Sequence, residues 1–178
     1  MLDPTLIETD RLVLRPHLPE DLDALYHLTS HPDVYRFDPG YQRSLDQTRE
    51  NLIFRIGEYR RHGIGRMALV EKPSGELVGY AGLQLCLYDV PGQSVPVIEF
   101  FYGLRRDRWG RGYMTEAGQA LIDRGFREFK LAKIISTADK RNKPSINVMR
   151  RVGMTVQDDA LHPDTWVYGV IENPYIRA

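Results

Sequence analysis
An α+β fold around one mixed, largely antiparallel sheet is what this 178-residue chain predicts. Two observations lead there. The element order reads strand, two helices, three strands, helix, strand, helix and a last hairpin, and successive strands joined by short turn signals pair antiparallel. Two helices follow the first strand, three strands then run together without a helix, and single helices separate strands only later, so the steady β–α–β alternation of a wholly parallel sheet is not seen. No internal repeat, low-complexity segment or interior linker divides the sequence. Its length suits one unit with a substantial core, so residues 1–178 are read as a single domain.

Residues 11–15 (RLVLR) alternate polar and apolar, a short strand with Leu12 and Leu14 on one face. Pro19, Glu20 and Asp21 open a helix bearing Leu22, Leu25, Tyr26 and Leu28 up to the His31–Pro32 break. A second helix is predicted from Leu45 to about Arg61, with Leu52, Ile53, Ile56 and Tyr59 sharing a face and Gly63 as its stop. Residues 67–70 read as a strand, Lys72, Pro73, Ser74 and Gly75 as a turn, and 76–87 as the returning strand. Asp89, Pro91 and Gly92 make 88–94 a polar loop before a strand over 95–104, whose first part Pro96 assigns to an edge or bulge. From Gly112 to Phe129 the positions Met114, Ala117, Leu121, Phe126 and Phe129 describe an amphipathic helix. Ile134, Ile135 and Thr137 mark the next strand, 145–151 a helix ending at Gly153, and 166–171 a final strand that could pair within the chain or across a homodimer.

Composition excludes several functions. Lysine plus arginine number 24 and aspartate plus glutamate 24, whereas a dedicated nucleic-acid binder carries a basic excess. No apolar run approaches the ~20 residues of a membrane helix. Residues 1–10 hold acidic side chains and no long apolar core, unlike a secretory signal. Cys86 stands alone in an apolar stretch and reads as a small buried hydrophobe rather than a nucleophile. A cytoplasmic protein without nucleic-acid or membrane partners is the resulting expectation. His17, His27, His31, His62 and His162 lack ligand spacing, so no metal site is expected.

Residues 99–117 (EFFYGLRRDRWGRGYMTEA) carry the densest chemistry. An apolar run with an embedded carboxylate, Glu99, leads into a basic turn at Arg108, Trp109, Gly110, Arg111 and Gly112, and that turn opens a helix. Glycines allow close backbone approach, and the N–H groups and dipole of a helix start form an anion site. A pyrophosphate-bearing ligand fits this description. A dinucleotide fingerprint does not, because its third glycine would fall at Thr115 and its parallel βαβ context is lacking. Gly63 and Gly65 precede no helix and read as a connection.

Four segments together resemble one family. Glu8, Thr9, Asp10, Arg11, Leu12, Val13, Leu14, Arg15 and Pro16 match an opening TxRLxLRP phrase. Residues 75–82 (GELVGYAG), 109–117 (WGRGYMTEA) and 142–154 (NKPSINVMRRVGM) follow in order. The chain thereby resembles the GNAT superfamily of acyl-CoA-dependent N-acyltransferases, and within it the RimJ/RimL type, over nearly its whole length. The resemblance implies a GNAT-like sheet flanked by helices and splayed at an acyl-CoA site, with acetyl-CoA as the acetyl donor and no metal. It implies that Phe101, Tyr102, Gly103 and Leu104 bond the pantetheine arm, while Arg108, Trp109, Gly110, Arg111, Gly112 and Tyr113 present N–H groups to the pyrophosphate. The family usually has Gln or Arg three residues before the first glycine. Here Asp107 stands there, so it is expected to point away while Arg106, Arg108 or Arg111 supplies charge.

Acetyl transfer from a thioester requires an oriented amine, a base and a stabilised oxyanion. Glu99 is the candidate base, because a carboxylate on a half-buried strand has a raised pKa; the alternative is a bond to a neighbouring backbone group or arginine. Glu116 near a helix start reads as structural. Tyr88 and Asp89 read as loop residues that could also meet a cationic acceptor. By resemblance Asn142 holds the pantetheine and Ser145 lies close to the sulfur, where it is the candidate donor to the leaving thiol; the alternative is helix N-capping. Many relatives use a tyrosine four residues after the Ser145 position, where this chain has Met149. Tyr26, Tyr35, Phe37 and Tyr41 fall where relatives build the acceptor pocket. The resemblance implies a primary amine acceptor, first a protein N-terminus, second a polyamine, amino acid or antibiotic. A non-catalytic acyl-CoA sensor is the reading of another class.

Overall fold
The computed structural model describes residues 6–176, so residues 1–5 of the opening segment lie outside it. Eight strands form one sheet in the order β1-β2-β3-β4-β5-β6-β8-β7. They are β1 (Ile7–Glu8), β2 (Leu12–Arg15), β3 (Arg66–Glu71), β4 (Leu77–Val90), β5 (Gln93–Leu104), β6 (Lys133–Asp139), β7 (Thr155–Asp158) and β8 (Trp166–Glu172). Every neighbouring pair is antiparallel except β5 with β6, which is parallel. The four helices are α1 (Leu22–Thr29), α2 (Leu45–His62), α3 (Tyr113–Arg127) and α4 (Lys143–Arg151). The mixed, mostly antiparallel sheet flanked by helices matches the class read from the sequence.

One face of the sheet packs on α3 and α4. Gly118 and Gly125 of α3 let the helix lie close, since a Cβ at Gly118 would sit 2.8 Å from the Phe100 ring and one at Gly125 would sit 2.7 Å from Leu83. Leu12, Leu14, Leu69, Leu83, Phe100, Ala117, Leu121, Ile134 and Met149 share this core. On the other face Leu25, Leu28, Leu52 and Tyr80 form a second cluster under α1 and α2.

Four expectations change. Residues 88–94 are not a loop: β4 and β5 form a continuous arm paired as far as Val90 with Gln93, and only the Pro91–Gly92 tip turns, with Gly92 at φ +85°. Tyr88 anchors this arm by donating to Asp159 and packing on Tyr168, so side-chain contacts override its polar composition. Pro96 sits where β5 has β4 on one side only, the edge setting a missing N–H requires. In α2, Ile53 is 66% exposed whereas Arg55 and Thr48 are buried. Arg55 lies over the Tyr80 ring at 4.1 Å, donates to Asn51 Oδ1 at 2.7 Å and meets His17 Nε2 at 3.3 Å, which is how a cation fills a helical core position. The first helix begins as a 3-10 turn over Pro19–Asp21. Finally, α4 begins before Ser145, with Asn142 as its cap.

Candidate active site
The parallel pair creates the site. β5 and β6 meet in register only at Glu99 and Ile135, with Ser136 Oγ donating to the Phe100 carbonyl at 3.0 Å. Beyond that bridge the strands part, and the β5 edge over Phe101, Tyr102, Gly103 and Leu104 faces a cleft of about 550 Å³. Such an edge offers unpaired backbone groups to an extended ligand. The cleft also receives Glu99, Trp109, Gly110, Gly112, Tyr113, Asn142 and Ser145, so eleven of the thirteen residues singled out from the sequence converge on it.

The basic turn differs from the expectation in which groups it leaves free. Arg108 and Trp109 do not offer their N–H groups: these donate to the carbonyls of Arg105 and Arg106 in a 3-10 turn. Gly110 and Gly112 then adopt φ +75° and +77°, and Gly112 caps α3, whose first-turn N–H groups lack intrahelical acceptors. A Cβ at Gly110 would meet nothing within 4 Å, so the turn faces open space. The Trp109 indole N–H donates to the Leu104 carbonyl at 2.8 Å, tying the parted strand to the turn.

Arg108 and Arg111 do not line the cleft. The Arg108 guanidinium reaches Asp107 at 2.5 Å, Glu76 at 3.1 Å and Glu71 at 3.3 Å. Arg106 pairs with Asp33 at 2.7 Å, and Arg111 lies 3.8 Å from Glu71. Asp107 does turn to other partners, Arg105 and Arg108, and Arg105 holds its carboxyl below the usual range. Glu71 is depressed to about 2, first by the Tyr113 hydroxyl and also by Ser74 and Arg108. The charges of the turn are therefore largely compensated within it, and the donors it leaves open are backbone groups.

Glu99 sits at the apex where the strands part. It accepts from Thr137 Oγ1 at 3.0 Å and from the Cys86 thiol at 3.7 Å, with Arg66 nearby. Burial pushes its pKa up, against the smaller opposing effects of Thr137 and Arg66. Cys86 is half-buried rather than buried, and desolvation with the adjacent Glu99 pushes its thiol to about 12, so it stays protonated. On the opposite limb Asn142 Oδ1 accepts the Ser145 N–H at 3.3 Å, so the capping expected as one role of Ser145 belongs to Asn142. The Ser145 hydroxyl instead meets the Tyr102 hydroxyl at 2.6 Å.

Tyr35, Phe37 and Tyr41 line the cleft along with Tyr80, Phe101 and Trp166, whereas Tyr26, Tyr88 and Asp89 stay outside. Tyr35 and Tyr80 share a hydroxyl contact at 2.9 Å, and Tyr80 stacks on Phe101 at 6.1 Å. Tyr80 and Trp166 escaped the sequence reading, because their strand patterns do not reveal which face borders a cleft. Among the described residues no cluster of three His, Cys, Asp or Glu side chains could hold a metal ion. No helix of the described residues is long and apolar enough to cross a membrane.

A sheet parted at one parallel pair, above a glycine turn and helix start, leaves a long cleft with open backbone donors at one end. Residues 11–155 match the acetyltransferase (GNAT) domain model, and the chain belongs to the GNAT acetyltransferase family. It is 33% identical over 153 residues to the uncharacterized protein YkkB of Bacillus subtilis, covering 84% of this chain and 85% of that one. It is 24% identical over 151 residues to spermidine N(1)-acetyltransferase of Escherichia coli, covering 84% and 75%. The ribosomal L7/L12 α-N-protein acetyltransferase RimL, solved with coenzyme A, shares the fold with a TM-score of 0.75 at 18% identity, covering 94% of this chain and 97% of that one. The protein is thus a GNAT acetyltransferase, an enzyme that moves an acetyl group to an amine.

Proposed function
We propose that the enzyme transfers acetyl from acetyl-CoA directly to a single primary amine, foremost the α-amine of a protein or peptide N-terminus, as in the RimJ/RimL type. The observation that carries this reading is the Glu99 apex. A carboxylate of raised pKa stands where the β5 edge becomes free, on the same cleft as Ser145. The pantetheine arm would run along Phe101, Tyr102, Gly103 and Leu104, and the pyrophosphate would meet the N–H groups following Gly110. The amine nitrogen attacks the thioester carbon, its proton passes to Glu99 directly or through water, and the C–S electron pair leaves on sulfur beside Ser145.

Charge favours one ammonium over several. Of the carboxylates lining the cleft, Asp33 is paired with Arg106 and Asp139 with Arg141. Asp38 and Glu99 have no ion-pair partner among the described residues, while Arg36 and Arg151 also line the walls. Arg66 lies over Phe101 at 3.8 Å and Arg43 near Tyr41 at 5.8 Å, so aromatic faces that could hold cations already do. A polyamine would need more free carboxylates than these.

Thiol release from acetyl-CoA, measured with peptides beginning Ser, Ala or Met and with spermidine, amino acids and aminoglycosides, tests the acceptor. Turnover of peptides above the hydrolysis background is expected. Turnover confined to spermidine or another small amine overturns the acceptor assignment. Binding of acetyl-CoA without turnover of any acceptor favours a sensor.

A further inference from the structure
Tyr102 has two faces to its chemistry. Its backbone belongs to the freed β5 edge, but its side chain shares the core face with Phe100, whose ring lies 4.7 Å away. The hydroxyl therefore points to α4, 2.6 Å from Ser145 Oγ and 3.2 Å from the Ser145 carbonyl. Ser145 does not cap its helix, because Asn142 does. Met149, one helical turn further on, is fully buried and has no proton to give. The Tyr102 hydroxyl is thus in hydrogen-bond contact with the Ser145 hydroxyl, and both residues line the cleft.

We propose that Tyr102 is the positioning residue for Ser145: its phenol donates to Oγ and leaves the serine O–H to point at the departing sulfur. The proposal rests on the assignment of Ser145 to the sulfur. In this arrangement the N–C bond forms as the C–S bond breaks, and the electron pair remains on sulfur as a thiolate. That thiolate is held by the serine O–H, which the phenol polarises in turn. The amine proton goes to Glu99, and the thiolate takes its proton from solvent on release. No oxidant or further reactant enters. Burial holds the phenol at about 12, so it stays a donor throughout the neutral range.

The test pairs kinetics with a titration of bound CoA. Tyr102→Phe keeps the ring packing and is expected to lower kcat about tenfold, with the calorimetric Kd for CoA unchanged. Ser145→Ala should lower kcat about 10²-fold, and the double variant should match Ser145→Ala because the two hydroxyls act as one unit. The thiol of bound CoA, followed by the ultraviolet absorbance of its thiolate, should titrate below the free value in the wild type and return to it in both single variants. That titration needs neither acceptor nor Glu99, so it stands if the base or acceptor assignment fails. Wild-type kcat and thiol titration in Tyr102→Phe, or losses that multiply in the double variant, would overturn the proposal.

Discussion

At the residue scale, Glu99 carries opposite consequences for activity and stability. If Glu99 is the base, as proposed, it must be ionised, and activity should fall as pH drops through its folded pKa, which burial places above the ordinary carboxylate value. The acidic limb of kcat/KM should therefore lie above that of a solvated glutamate. Glu99→Gln should lower kcat roughly 10²-fold with CoA affinity retained. The stability sign is reversed. A carboxylate whose pKa is raised on folding contributes most below its unfolded pKa, and that contribution is lost as pH rises through the folded pKa. The Glu99→Gln variant should consequently melt no lower than the wild type at neutral pH, and a lower Tm would show that the carboxylate holds the sheet together. Glu99 was legible because a carboxylate interrupting an apolar strand is costly without a use. The Tyr102 hydroxyl was not: an aromatic in a strand packs in either direction, and only the position of α4 reveals the Ser145 contact.

At the element scale, two motifs far apart in the chain prove to be one structural unit. Glu116 in the first turn of α3 accepts from Thr9 Oγ1 at 2.5 Å and from the Arg11 N–H at 2.9 Å, and pairs with the Arg11 guanidinium at 2.6 Å. Arg11 also donates to the Arg111 carbonyl at 2.9 Å. Burial alone would raise the Glu116 pKa, yet Thr9 and Arg11 bring it below its ordinary value. The opening Thr-x-Arg phrase thus buttresses the start of the helix that presents its N–H groups to the cleft. Glu116→Gln should destabilise the fold by about 1–2 kcal/mol, read as a lowered Tm, while kcat at saturating substrate stays near wild type. A large kcat loss with unchanged Tm would assign Glu116 to the chemistry instead. Periodicity revealed α3 and the strands of the core, because those elements bury one face each. It misread 88–94, where Tyr88 meets Asp159 and Tyr168 from a distant part of the chain, a separation no local pattern reports.

At the scale of the whole molecule, the sheet order and the single parallel bridge were the features least visible in the chain. Strand content follows from side-chain alternation, but the insertion of β8 between β6 and β7 rests on pairings with strands on both sides that no local pattern specifies. Ile53 and Arg55 show the same limit, since the first is exposed and the second is desolvated against Tyr80, with its pKa lowered to about 10. The distribution of charge has a further consequence. Arg105, Arg106 and Arg108 are already matched by Glu76, Asp107, Asp33 and Glu71, so an anionic ligand at this turn, as proposed, would meet backbone amides first. Fixed dipoles at short range are screened far less by dissolved ions than free surface cations are. Calorimetric affinity for CoA should accordingly change by less than about threefold between about 0.05 M and about 0.5 M sodium chloride. A steep decline would identify an unpaired cation as the main anchor, with half-exposed Arg111 the first to substitute. An enzyme built this way would keep its donor bound across wide swings of ionic strength, with its arginines serving as struts of the loop rather than as bait for the ligand.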